Sequence, residues 1–216
     1  MTDQPAPTPT RIVLVRHGES EAQAGRFVGG HEGCKGLTDR GRRQVDALRE
    51  RLQRTGELSE ATAFYTSVLP RAIETAAIMA PALGGLEAVQ DCTFCEQHPG
   101  EADGITWDEY MDRYRQGRTG FDPFVPDAPG QETWAEMIGR VGRALSSIAD
   151  RHAGETAVVA CHGGVVASSM ISRLGIPVTK PVWELEVDNA SITEWEVVEG
   201  RWRLVRYNDH AHITGL

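Results

Sequence analysis

Two short apolar runs set the limits on what this chain can become. Ile12-Val13-Leu14-Val15 and Ala157-Val158-Val159-Ala160 are unbroken by any polar residue. A strand with one wet face alternates apolar and polar side chains, so unbroken runs belong to strands covered on both faces. Such sheets are parallel, and their crossovers are helices. The intervening sequence supplies them. Thr38 reads as an N-cap ahead of Val45, Leu48 and Leu52, which recur at helical spacing. Ser67 reads as the cap of a helix reaching Ala80, with Pro70 in its first turn. Trp134, Met137, Ile138, Val141, Leu145 and Ile148 give a long helix with one apolar face, and 165–173 reads as another. Further strands are expected at 62–66 and 88–94, with an alternating pair at 187–198 and 202–207 around Glu199-Gly200. The expected fold class is α/β: a three-layer arrangement in which a mostly parallel sheet is flanked by helices on both faces.

One domain is expected over 11–216, with an elaboration at 105–130 that carries Trp107, Tyr110, Tyr114, Phe121 and Phe124 among Arg113, Arg115 and Arg118. That elaboration reads either as a small satellite core or as a lid over a pocket. Residues 1–10, with three prolines and little to build a core, read as a disordered arm without the pattern of a secretory signal. Acidic residues outnumber Lys and Arg by 31 to 22, a formal charge of −9. This balance argues against nucleic acid or an anionic membrane as a general partner. No apolar run approaches the roughly 20 residues that span a bilayer. Four cysteines in 216 residues are no disulfide framework, so a cytoplasmic location is expected.

Ligands of open α/β sheets gather at the carboxyl ends of the strands. Four of the expected strands end in chemically useful residues: Arg16-His17-Gly18, Ser67 with Arg71 one turn on, Glu96, and His162-Gly163-Gly164. Each alone has a bland reading, as a solvated strand end or a surface charge. Together they deliver two His, two Arg and one Glu to one edge of the sheet. A neutral imidazole is a competent nucleophile, and guanidinium groups match phosphate oxygens bidentately. A second imidazole, if protonated, adds positive charge for the transition state. A carboxylic acid can protonate a leaving alkoxide. Paired glycines allow close backbone approach to a ligand. These residue types suit phosphoryl transfer through a histidine.

The pieces LVRHGES at 14–20, GLTDRGRRQVDAL at 36–48, YTSVLPRAIETA at 65–76, PGQETW at 129–134 and VVACHGG at 158–164 resemble the histidine phosphatase superfamily. The Glu96, Gly100, Gly104 spacing belongs to the same pattern. The resemblance runs from Arg11 to His210 and implies a phosphoglycerate mutase-like fold with no cofactor and no metal. It implies that His17 is phosphorylated, Arg16 and Arg71 bind phosphate, His162 supports the transition state with Gly163 beside it, and Glu96 donates the proton. Glu101 is the rival donor. Gln23 stands where the family often has a phosphate-binding Asn. Two segments depart from the pattern: His31 to Thr38 replaces an acidic-Pro-Leu-Thr element, and Gln97 to Gly104 replaces an aromatic-rich one.

The expected activity is hydrolysis of small phosphorylated metabolites through a phosphohistidine. A phosphomutase and a catalytically silent phosphoester-binding protein are the alternatives. A homodimer is compatible with the sequence. Cys92 and Cys95 have metal-ligand spacing, but the partner Cys-x-x-Cys or His pair is missing and strand alternation would point the two to opposite faces, so they read as structural. Cys161 reads as packing, His210 and His212 as loop residues, and Arg40, Arg42 and Arg43 as a solvated helix face.

Overall fold

The computed structural model describes residues 7–117, 120–178 and 184–215. In chain order its main elements are β1 (Thr10–Arg16), α1 (Glu21–Ala24), α2 (Asp39–Thr55), β2 (Ala61–Thr66), α3 (Pro70–Met79), β3 (Val89–Gln90), α4 (Trp107–Tyr110), α5 (Trp134–Arg151), β4 (Thr156–Cys161), α6 (Gly163–Leu174), β5 (Ile192–Val198) and β6 (Arg201–Asp209). The six strands form one sheet in the order β3-β2-β4-β1-β5-β6. The first four are mutually parallel, whereas β5 runs antiparallel to β1 and β6 antiparallel to β5.

The unbroken run in β1 is split by the pleat between two cores. Ile12 and Leu14 pack with Val159, Trp195 and the apolar stripe of α5, including Met137, Val141 and Leu145. Val13 and Val15 face the other way, against Leu48 and Leu52 of α2 and Met79 of α3. Both sides are dry, as the run requires. In register, Arg16 lies opposite Cys161, so the residues that follow each strand, His17 and His162, emerge side by side. Thr38 caps α2 by accepting the Gly41 N–H, and Thr133 with Glu136 forms a capping box on α5.

The structure departs from the sequence reading in several places. The strand expected at 88–94 shrinks to Val89–Gln90, and Cys92–Phe94 turn into a single 3-10 turn that Asp91 caps. Leu69, not Ser67, is the N-cap of α3; the Ser67 hydroxyl instead accepts the Leu69 N–H. The strand expected from 187 begins only at Ile192. Thr10, assigned to the arm, is buried and opens β1, where its hydroxyl accepts the Gly154 N–H. Residues 1–6 of that arm lie outside the described residues, as does Arg118 of the elaboration. Cys161 is wholly buried, with its thiol pushed up by desolvation, and serves packing. His212 hydrogen-bonds the Ala190 carbonyl rather than pairing with His210.

Candidate active site

His17 follows β1 directly, and the fold can turn there because Gly18 lets two backbones touch. A Cβ on Gly18 would lie 2.4 Å from the Gly41 carbonyl oxygen of α2. The His17 ring is almost fully buried, and its two nitrogens have different partners. Nδ1 donates to the Gly18 carbonyl at 2.6 Å, and Nε2 accepts from Arg71 Nε at 3.1 Å. These partners assign the proton to Nδ1 and leave a lone pair on Nε2. Burial, then the charges of Arg71 and Arg16, push the His17 pKa well below the ordinary histidine value. The ring is neutral at neutral pH.

His162 stands at the carboxyl end of β4 as the N-cap of α6, wholly buried. Its ring meets that of His17 edge-on, with centroids 5.1 Å apart. The same Arg71 Nε lies 3.2 Å from His162 Nδ1, so Nδ1 accepts and Nε2 carries the proton. That Nε2 has no hydrogen-bond partner among the described residues, and neither does the buried Nε of Arg16. Burial and then Arg71 also push the His162 pKa well below its ordinary value. The second imidazole therefore offers a neutral N–H in the free protein, not the positive charge that the sequence reading considered.

Arg71 comes from the first turn of α3 and is held by the Gly29 carbonyl, 2.6 Å from its NH1. Arg16 bonds the Val187 carbonyl and reaches the Gln23 amide oxygen at 3.5 Å. Burial lowers the Arg16 pKa, with Glu96 and Asp188 opposing that shift. Gln23, on α1, exchanges two hydrogen bonds with Asn189 at 3.0 and 3.2 Å. Asn189 also donates to the His17 carbonyl. No motif in the sequence pointed to Asn189, because it comes from the segment before β5 and touches the site only through tertiary packing.

Glu96 follows the 3-10 turn and accepts the Gly164 N–H at 3.0 Å and its neighbour's at 3.1 Å. A Cβ on Gly164 would fall 2.0 Å from Glu96 Oε1, so any larger residue there would displace the carboxylate. Gly163 packs against Arg16, whose Nε lies 3.6 Å from where a Cβ would stand. The rival Glu101 is exposed in a separate 3-10 turn, away from these groups.

Arg16, His17, Gln23, Arg71 and Glu96 line one cavity of about 610 Å³. Its outer wall is aromatic, built by Phe27, Trp107, Tyr110, Phe121 and Trp134. Tyr110 belongs at once to that wall and to a satellite core with Val28, Ala102 and Ala128. The elaboration contributes to a small core and lines one side of the pocket. Its Tyr110 hydroxyl and Arg115 both bond Asp127, at 2.8 Å each.

A sheet of this order with paired histidines at adjacent strand ends defines a phosphoryl-transfer fold, and comparison with known proteins agrees. The model of the histidine phosphatase superfamily (branch 1) matches residues 12–210. Phosphoglycerate mutase-like protein 4 of Arabidopsis thaliana is 32% identical over 206 residues, spanning 94% of this chain and 86% of its own. The metal-independent phosphoserine phosphatase of the same plant is 30% identical over 213 residues, spanning 96% of this chain and 84% of its own. Among solved structures, Bacillus stearothermophilus YhfR superimposes with a TM-score of 0.81 at 29% identity, over 94% of this chain and 99% of that one. The chain belongs to the histidine phosphatase superfamily. Within it, the chain is a hydrolase acting on phosphoric monoesters.

Proposed function

We propose that the chain hydrolyses small phosphomonoesters in two steps through a phosphohistidine on His17. The observation that carries this reading is the shared Arg71 Nε–H, which lies within hydrogen-bond distance of both His17 Nε2 and His162 Nδ1 while Glu96 lines the same cavity.

A bound phosphate replaces the two imidazoles as the acceptor for Arg71 and takes the unspent N–H groups of Arg16 and His162. His17 Nε2 then attacks phosphorus in line with the ester bond. The N–P bond forms as the P–O bond breaks, and Glu96 in its acid form gives its proton to the leaving alkoxide. In the second step the Glu96 carboxylate takes a proton from water, the hydroxide attacks phosphorus, and the N–P bond breaks to release inorganic phosphate. The dianion being transferred brings negative charge into direct contact with the guanidiniums of Arg16 and Arg71. Gln23 supplies an amide to the same phosphate from the cavity mouth.

The phosphoserine phosphatase relative makes phosphoserine the first substrate to assay. Three-carbon phosphorylated acids and sugar phosphates come next, since the cavity is small and the chain is acidic. Four free cysteines suit a reducing compartment, which supports a cytoplasmic location. No helix among the described residues is long and apolar enough to cross a membrane.

The test is phosphate release from an aryl phosphate and from phosphoserine, with no divalent cation added. His17→Ala is expected to lose activity by about 10⁴-fold or more. Labelled substrate is expected to leave an acid-labile phosphoryl group on the wild type and none on the variant. Full activity in His17→Ala would refute the reading. Transfer of the label to a second hydroxyl instead of water would make the chain a phosphomutase, and no labelling at all would leave it a binder.

A further inference from the structure

Behind the wall that carries Glu96 lies a second cluster of metal-ligand side chains. The 3-10 turn at 92–94 replaces the expected strand, and that change brings Cys92 and Cys95 to one side instead of opposite faces. His98 follows three residues later, and His31 arrives from the loop before α2. One ligand atom from each of these four residues lies within 4.8 Å of all the others. Cys92 Sγ is 3.5 Å from His98 Nε2 and 3.9 Å from His31 Nε2. In a tetrahedral zinc site with bonds of about 2.0–2.3 Å, neighbouring ligand atoms stand roughly 3.3–3.8 Å apart, so the cluster is close to the required size before any ion enters.

The surroundings hold this shape. Arg140 NH1 donates to the carbonyls of Cys92, Thr93 and Cys95, fixing the turn, and is itself clamped by Glu132 at 2.7 and 2.8 Å. Glu132 also accepts the His98 N–H at 3.2 Å, and its Oε2 lies 3.9 Å from His98 Nδ1. A carboxylate beside the far nitrogen of a ligating histidine is the usual outer partner of a metal-bound imidazole. The Ser67 hydroxyl donates to Cys95 Sγ at 3.4 Å. On the other side, the Asp103 carboxylate accepts the N–H groups of Gly30, Glu32 and Gly33, so the loop that presents His31 is wrapped around a fixed anion. His31 and His98 fall in the two segments where the sequence departs from the family pattern.

We propose that His31, Cys92, Cys95 and His98 bind one Zn²⁺ as a structural site. Two sulfur and two imidazole ligands select zinc over magnesium or calcium, and four protein ligands leave no open position for catalysis. On binding, the two thiols release their protons to water. Two thiolates then balance the 2+ charge, so the filled site is neutral. The ion ties the loop that positions the Gly29 carbonyl, and through it Arg71, to the segment that carries Glu96. It is a clip behind the pocket and takes no part in phosphoryl transfer, so its existence does not depend on the reaction proposed above.

The test is zinc content and cobalt spectroscopy on the full chain, purified under reducing conditions. Wild type exposed to zinc and desalted is expected to retain about one equivalent, with Cys92→Ser and His98→Ala losing at least tenfold in retained metal. Cobalt is expected to give the tetrahedral, thiolate-ligated absorption spectrum in the wild type and in His17→Ala, and to lose it in Cys92→Ser and His98→Ala. Cys95 is wholly buried, so its replacement is avoided. The exposed His31→Ala keeps the test informative if another variant fails to fold. His17→Ala is expected to bind zinc as the wild type does. Equal retention in wild type, Cys92→Ser and His31→Ala would overturn the proposal, as would loss of zinc in His17→Ala, which would put the ion in the cavity instead.

Discussion

The carboxyl ends of the parallel strands and the β5–β6 margin belong to one sheet, yet they treat arginine in opposite ways. At the margin, Arg206 bonds Glu57 at 2.6 Å and Glu194 at 2.5 Å, and Arg51 bonds Glu57 at 2.8 Å and Asp209 at 2.7 Å. Arg11 closes the network on Glu194 at 2.9 Å. The hydrogen bond from Arg51 holds the Asp209 carboxyl well below the usual carboxylate range. Burial pulls the Arg206 pKa down, but Glu194 and Glu57 more than offset it. In the candidate site the hydrogen-bond partners of Arg16 and Arg71 among the described residues are carbonyls, an amide and imidazoles, with no carboxylate in contact. One set of cations is spent on holding the fold, and the other is kept for an anion that arrives from outside.

That contrast can be broken by moving the same substitution between the two places. Arg71→Met is expected to lower kcat/KM by about 10²–10³-fold, as loss of a strong transition-state donor does, while Tm stays within roughly 3 °C. Arg206→Met is expected to do the reverse. It leaves Glu57 with Arg51 and Glu194 with Arg11 as their remaining arginine partners, at a cost of about 2–3 kcal/mol, which in a chain of this length lowers Tm by roughly 5–10 °C. Its kcat/KM should stay within about twofold. Equal Tm losses in the two variants, by thermal melts, would show that Arg71 is structural after all.

Proton linkage separates the regions again. In the unfolded chain His17, His162 and His212 take protons near pH 6.5, whereas in the folded chain burial keeps all three neutral below that, His212 down to about 4. The unfolded state therefore binds more protons as the pH falls. Stability is full above about pH 6.5 and declines through that value toward the lower folded values. The carboxylates of the margin join only at lower pH, since the Asp209 pKa is itself depressed. Tm is expected to drop between pH 7 and pH 5, and a flat profile would contradict the assigned neutrality of the two site histidines. The smallest effect belongs to Gln23, which sits at the exposed mouth. Gln23→Ala should raise KM a few-fold with kcat little changed, and a large fall in kcat would move Gln23 into the transition-state machinery.

Much of this was legible in the chain because apolar runs and strand-end motifs are local signals. The run 12–15 announced a doubly covered strand, and the pleat then divided it between two cores. The meeting of His17 and His162 beside Arg71 needed only the rule that parallel strands end on one edge. What escaped was non-local or depended on backbone shape. Asn189 joins the site through Gln23 and a main-chain carbonyl. Val89–Gln90 stops short because Asp91 caps a turn, and with the strand went the alternation that had set Cys92 and Cys95 on opposite faces. His31 and Cys92 lie 61 residues apart, and no spacing rule connects them.

The strand order has a consequence for how the molecule comes into being. β1 leads directly into His17 in the first tenth of the sequence, but both of its neighbours in the sheet, β4 and β5, come from the last third. Arg71 and His162, joined by one hydrogen bond from the guanidinium to the imidazole, are separated by 91 residues. As the chain leaves the ribosome, β1 waits with both edges unpaired while everything up to residue 156 is made. Closing so long a loop is entropically costly until the late contacts form, and open strand edges in the meantime invite association with other chains. The pocket and the protection of its central strand therefore form together, once β4 and β5 have been made.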